Sequence, residues 1–250
     1  MIFERQGPTK YPAILFFLDK YLDVSKHVIG VVFDEDLPVI RELYHIDTVE
    51  PSGVEYHYSS DEWATLSGGS FAAFRNAING FRIKYTFEVR YQLAPSECYS
   101  LIETWALSKR DGFAESGTSA TNQSVVFFED DVKESIETLR VIDSLSADVL
   151  ARIRLSIIGV NVDGEVTGFC VLLNLVNNFW VALIQKTNLQ YRGIPQLLAQ
   201  VVAKLIGPGQ IITTGRDAHD ANLQAFKESL RPIRKRRIYA VKLGERIQCR

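Results

Sequence analysis

The sequence predicts an α+β fold in which a mixed sheet is flanked by helices, and three observations predict it. Two segments rich in β-branched residues, 155–162 and 166–175, are separated by Asp163-Gly164, a dipeptide suited to a type I′ hairpin. A third apolar segment, 179–185, follows at once, and a 3.6-residue apolar period then runs from Gly193 to Ile206. Short strand segments at 211–214 and 237–243 enclose a helical segment at 220–230. The order β-β-β-α-β-α-β joins an antiparallel meander to crossover units.

The chain before residue 150 follows from the same signals. Residues 27–33 are β-branched and closed by Asp34-Glu35-Asp36, so they read as a strand, and 53–58 reads as a second. A helix starts near Ser60, with Asp61 and Glu62 complementing the positive end of its dipole. Ser67-Gly68-Gly69-Ser70 interrupts it. From Phe71 the period resumes, with Phe71, Phe74, Ile78 and Phe81 on one face and Arg75, Asn79 and Arg82 on another. Residues 84–91 alternate as a strand, and 95–109 form a helix. Residues 111–124 are rich in Gly, Ser and Thr and read as a mobile loop or linker, before a helix through Val132, Ile136, Leu139 and Leu145.

Composition bounds the function classes. Of 250 residues, 46% are hydrophobic and 23% charged, which excludes collagen-like, coiled-coil and wholly disordered chains. Cys98, Cys170 and Cys249 form neither a zinc spacing nor a disulfide framework, which suggests a reducing compartment. The start of the chain lacks a signal-peptide pattern, and its longest apolar run, 13–18, is too short for a membrane span. A cytoplasmic protein without an integral membrane segment is the expectation. His27, His45, His57 and His219 show no metal-ligand spacing, so no metal is expected. Residues 1–150 carry 13 basic and 24 acidic side chains, whereas 151–250 carry 15 and 6. The basic end either attracts phosphate-rich ligands, a nucleotide or RNA, or is neutralised by the acidic half.

The junction at 186–194, strand to polar loop to helix, presents backbone N–H groups at a helix N-terminus, a geometry that holds phosphate oxygens. Arg192 adds charge and Gly193 permits close approach; a tight loop that needs glycine is the plainer account. Asp217 reads either as a proton acceptor or as a cap for the following helix.

Gln190-Tyr191-Arg192-Gly193, between strand and helix, resembles the donor-binding turn of the GNAT acyltransferase superfamily, with Pro195 at its second small position. Asn222-x-x-Ala225 is similar to the superfamily's Asn-x-x-Ala, with Glu228 where a general-acid Tyr is expected. A closer resemblance is to the C-terminal domain of phosphatidylglycerol lysyltransferases and its free-standing relatives. It rests on Leu66-Ser67-Gly68-Gly69 with Arg75-Asn76, Asn79 and Phe81, and on Val162-Asp163-Gly164-Glu165-Val166 with Gly168-Phe169. It continues through Tyr191-Arg192-Gly193 and through Arg216-Asp217 followed by Leu223, Lys227, Arg231 and Pro232.

The resemblance implies two back-to-back GNAT-like halves. One is 1–124, with an acceptor-side helix at 60–82; the other is 125–250, with a donor-binding turn at 186–194. It also implies transfer of an acyl or aminoacyl group to an amine or hydroxyl. Acyl-CoA or aminoacyl-tRNA would be the co-substrate, with no bound cofactor; the acceptor would be a small or lipid-like molecule, and tRNA a partner. Gln185, Arg192, Gly193, Ile194 and Asn222 would bind the donor, Arg75, Asn79 and Arg82 the acceptor, and Asp217 and Glu228 would carry the proton transfers. The alternative is a binding module that keeps the fold without the chemistry.

Overall fold

The computed structural model describes residues 28–115, 122–176, 178–217 and 219–246. In chain order its elements are β1 (Val28–Phe33), α1 (Leu37–Leu43), β2 (Tyr44–Ser59), α2 (Ser60–Thr65), α3 (Ala72–Lys84) and β3 (Phe87–Arg90). These are followed by α4 (Tyr99–Glu115), α5 (Asn122–Ser144), α6 (Ala147–Arg152), β4 (Leu155–Val162), β5 (Glu165–Val176) and β6 (Phe179–Thr187). The chain ends with α7 (Ile194–Ile206), β7 (Ile211–Arg216), α8 (Ala221–Ser229) and β8 (Arg234–Arg246). They build two compact units, one from the chain up to His57 with the chain from Gly215 onward, the other from Tyr58 to Thr214.

In the first unit β8 pairs antiparallel with both β1 and β2. Val32, Leu37, Ile40, Tyr44, Val241 and Leu243 close its core. The expected strand at 53–58 is the second half of β2, which begins at Tyr44 and bends at a register shift between Pro51 and Gly53. The expected strand at 237–243 extends to Arg234–Arg246. His27 and Cys249 fall outside the described residues.

The second unit carries the mixed sheet. Strands β3, β4, β5 and β6 pair antiparallel in that order, and β7 joins β6 in parallel. Asp163 and Gly164 turn the β4–β5 hairpin at φ +52° and +86°, as a type I′ turn requires. The β6–β7 register covers Phe179–Val181 against Ile211–Thr213, so the expected parallel neighbour is there at the start of β6. Beyond Val181, β6 continues along β5 to Thr187.

Successive residues of a strand face opposite sides. Phe169 of β5 therefore packs into a core with Leu101, Ile102, Leu139 and Ile142 of α4 and α5. Its neighbour Gly168 faces Ile194 and Leu198 of α7, where a Cβ would overlap the Ile194 side chain. The expected mobile loop at 111–124 is corrected at both ends: residues 111–115 continue α4 and 122–124 begin α5, while 116–121 lie outside the described residues.

Candidate functional site

Helix α3 buries Phe74, Ile78 and Phe81 and carries on one flank Ala73, Ala77, Gly80 and Lys84, spaced four, three and four residues apart. The small side chains on that flank let another segment approach the helix backbone. The segment that does so is the turn between β6 and α7. Asn188 anchors it: its N–H donates to the Thr167 carbonyl at 2.8 Å, and its Oδ1 accepts from the Gln190 N–H at 3.0 Å. Gly193, the N-cap of α7, sits at φ +104°. A Cβ there would lie inside contact distance of the Ala77 carbonyl oxygen and 3.1 Å from the Phe81 Cβ. Only glycine meets both demands. Tyr85, beyond the end of α3, packs edge-on against Tyr191 with ring centroids 4.9 Å apart.

Between α3 and this turn lies a pocket of about 580 Å³. Ala73, Asn76, Ala77, Gly80, Phe81, Lys84 and Tyr85 line it from the helix side, and Gln190 and Arg192 from the turn. Among the described residues its lining holds two cations, Lys84 and Arg192, and no carboxylate, so it favours an anion. Asn76 and Gln190 add amide groups, and the aromatic and alanine walls suit an apolar extension.

The expected donor residues divide here. Arg192 is exposed at the pocket, whereas Gly193 is buried against α3. The side of Gly193 on which a phosphate would use its openness is filled by Ala77. Ile194 is wholly buried in the packing of α7. The Gln185 amide donates to the Pro195 carbonyl at 3.5 Å and ties β6 to α7.

The expected acceptor wall of Arg75, Asn79 and Arg82 projects from the other flank of α3, away from the pocket flank. The Arg75 guanidinium donates to the Leu66 and Gly68 carbonyls and locks the turn in which Leu66 adopts φ +51°. Arg82 donates to the Gln200 amide oxygen at 3.3 Å, and Asn79 is exposed.

Asp217, Glu228 and Asn222 belong to the first unit. Asp217 is 3% exposed, and its carboxylate accepts from the Val54 N–H (2.9 Å), the Tyr56 hydroxyl (2.8 Å) and the His219 N–H (3.3 Å). Burial pushes its carboxyl up, but these donors outweigh burial and hold it below the ordinary carboxylate value. Burial and then the bond to Asp217 push the Tyr56 hydroxyl well above its ordinary range. An anion held this way fastens β2 to the segment after β7 and is a poor proton acceptor. The N-cap expected of Asp217 is instead Asp220, whose carboxylate accepts from the Leu223 N–H at 2.8 Å. Glu228 pairs with Lys235 at 2.6 Å, and chiefly for that reason its carboxyl is held low. Asn222 is exposed on α8.

One buried cation in the second unit escaped the sequence reading. Lys186 of β6 is 6% exposed, with its ammonium 2.6 Å from Asp131 and 4.1 Å from the Trp105 ring centre. Burial pulls this ammonium below its ordinary value, and Asp131 opposes the shift. The buried thiols of Cys98 and Cys170 are both pushed up to about 12 by burial, so neither supplies a thiolate at neutral pH.

Residues 28–209 match the family described as phosphatidylglycerol lysyltransferase, C-terminal. Solved structures that share the fold include the following three. A conserved protein of unknown function from Bacteroides thetaiotaomicron is 22% identical with a TM-score of 0.67, over 95% of this chain and 76% of that one. The L-PGS of Bacillus licheniformis is 16% identical with a TM-score of 0.53, over 88% and 68%. From Agrobacterium fabrum comes a C-terminal domain described as that of a lysylphosphatidylglycerol synthetase, 15% identical with a TM-score of 0.52, over 87% and 67%. No curated protein matches the sequence. Among the described residues no helix is long and apolar enough to cross a membrane.

Proposed function

Because the chain belongs to the family of phosphatidylglycerol lysyltransferase C-terminal domains, we propose that it transfers an acyl or aminoacyl group to a hydroxyl or amine of a lipid-like acceptor. The observation that carries this reading is the pocket between α3 and the turn before α7. It borders both the segment expected on the acceptor side and the segment expected on the donor side, and among the described residues Lys84 and Arg192 are its only charged groups. In this reading the two cations hold the phosphodiester of the acceptor headgroup, and Asn76 and Gln190 orient its hydroxyls.

The donor ester lies along the far end of β6, beyond Val181, where pairing with β7 has ended. Backbone N–H groups there stabilise the developing oxyanion; as the new ester bond forms and the donor's acyl–oxygen bond breaks, a water chain carries the proton of the attacking hydroxyl to the departing donor hydroxyl. Between the two donors, aminoacyl-tRNA is favoured over acyl-CoA. α3 closes the open side of Gly193, and Pro195 in the first turn of α7 lacks an N–H, so a coenzyme A pyrophosphate has little to bind at this turn. The basic side chains of β8 are largely engaged, Arg234 and Arg236 with Glu35, Lys235 with Glu228 and Lys242 with Asp47, so the preference rests on the turn. In the same reading the chain is cytoplasmic, holds no resident cofactor, and descends from two GNAT-like halves, 1–124 and 125–250.

Binding tests the pocket directly. A short-chain phosphatidylglycerol below its micelle concentration raises the melting temperature of the wild-type chain by mass action. Lys84→Ala with Arg192→Ala abolishes that rise while leaving the apo melting temperature unchanged. A rise that survives in the double variant removes the pocket from the reading. A chain that binds the acceptor yet transfers from no donor is the non-catalytic binding module.

A further inference from the structure

Two exposed apolar side chains stand beside the pocket mouth. Ile83, in the last turn of α3, is 87% exposed. It stands seven residues after Asn76 and three after Gly80, so it continues the pocket-lining flank outward. Leu189 is 51% exposed and lies in the polar turn between Asn188 and Gln190. Each is the chain neighbour of a pocket residue, Lys84 and Gln190. The turn and the end of α3 are held together by the Tyr85–Tyr191 ring contact and by Gly193 against Ala77. The two apolar tips therefore stand beside one mouth, one on each side, and its lining includes Lys84, Arg192 and Tyr85.

We propose that this mouth docks on an anionic lipid bilayer, with Ile83 and Leu189 entering the interface and Lys84 and Arg192 meeting headgroup phosphates. The proposal rests on the lipid-like acceptor of the preceding section and says how a chain with no membrane-crossing helix among its described residues reaches such an acceptor. Two observations favour a bilayer over a protein partner. Two isolated tips offer far less apolar area than the roughly 800 Å² per partner of a stable protein interface, whereas shallow insertion of single apolar side chains beside cations is how peripheral elements bind membranes. Tyr85 in the lining, packed on Tyr191, also suits the boundary between headgroups and water. Other exposed apolar residues of the same unit, such as Leu107 and Leu205, border no such pocket and are ordinary surface residues.

The test is flotation of the full chain with vesicles of pure phosphatidylcholine and of equal parts phosphatidylcholine and phosphatidylglycerol. The wild-type chain is expected to float with the mixed vesicles only, less so as salt is raised. Ile83→Ser with Leu189→Ser lowers the bound fraction at least tenfold at an unchanged melting temperature. Leu107→Ser with Leu205→Ser leaves it unaltered. A wild-type chain that binds neither vesicle, or an Ile83/Leu189 variant that floats as well as the wild type, overturns the proposal. Binding of the monomeric short-chain acceptor separates the two readings. It is retained in the Ile83/Leu189 variant if the pocket takes the headgroup, whatever the outcome of flotation, and is missing in the wild-type chain if the pocket reading itself fails.

Discussion

Replacing Gly193 by Ala adds one methyl group at the point where the α7 turn meets α3. Two costs arise. An L-residue in the left-handed region loses about 1–2 kcal/mol, and Gly193 sits there at φ +104°. The added Cβ also collides with the Ala77 carbonyl oxygen, a backbone atom, with the Phe81 Cβ 3.1 Å away. Overpacking of this kind costs about 1–3 kcal/mol, so the sum is about 2–5 kcal/mol. In a domain of this size each kcal/mol lowers the melting temperature by about 2–4 °C, which places the expected fall at about 4–20 °C. Gly164 supplies the control: it has φ +86° in the β4–β5 hairpin, and nothing lies within 4 Å of a Cβ built on it. Gly164→Ala therefore bears the backbone cost alone, about 1–2 kcal/mol. Urea denaturation of the two variants side by side isolates the close approach. If Gly193→Ala is no less stable than Gly164→Ala, α3 and the turn are not packed as described, and the pocket between them loses its basis. The same comparison rules out a charged residue at 193 as a clean test of phosphate binding, since any side chain there displaces α3 first.

Arg75→Ala removes two charge-assisted hydrogen bonds to the Leu66 and Gly68 carbonyls. On a half-buried residue this costs about 1–3 kcal/mol in urea denaturation and leaves binding of the short-chain acceptor unchanged; an unaltered stability with weakened binding would return Arg75 to the acceptor wall. Asp217 has a folded-state value below its ordinary one, so its stabilisation is complete above about pH 4 and is lost as pH falls through the folded value. Asp217→Asn should flatten the fall of stability below pH 4, measured by denaturation across pH, and an unchanged acid limb would contradict the three-donor arrangement. Asp131→Ala leaves the buried Lys186 ammonium without its carboxylate and costs about 3 kcal/mol, the low end for a buried pair because Asp131 is itself 34% exposed; adding Lys186→Met recovers most of that loss, whereas additive losses would show that the two side chains do not act as a pair.

The sequence was most informative where one local rule sufficed. Asp163-Gly164 specified its turn because both positions need positive φ, and the apolar period from Gly193 to Ile206 specified α7 with its boundary at the N-cap. The first half of β2 was illegible because Asp47, Glu50 and Pro51 interrupt its alternation; its place comes from pairing with β8, nearly 200 residues later. Helix α1, seven residues between two strands, carries no period long enough to read.

The site divided in the same way. The turn at 188–193 was visible as a strand-to-helix junction with Gly193, and Arg192 is where that reading placed it. The helix opposite was found, with attention on a flank other than the one that lines the pocket. Arg75, Asn79 and Arg82 drew attention as polar groups, whereas the pocket uses Ala73, Ala77 and Gly80, whose small size matters only once another segment lies against them. That four-three-four spacing was present in the sequence, but nothing local says what fills the groove. Asp217 was misleading for a related reason, since its donors Val54 and Tyr56 lie more than 160 residues away.

The most direct test is the transfer itself. Purified wild-type chain is incubated with phosphatidylglycerol vesicles and either a pool of charged tRNAs or acyl-CoA, and the lipids are analysed by mass spectrometry. The expected result is a lipid heavier by one aminoacyl group from the tRNA arm, reduced roughly tenfold to a hundredfold by Arg192→Ala, as the loss of one charge-assisted hydrogen bond implies. A product from the acyl-CoA arm alone, or a tRNA-dependent product undiminished by Arg192→Ala and by Lys84→Ala, would contradict the account.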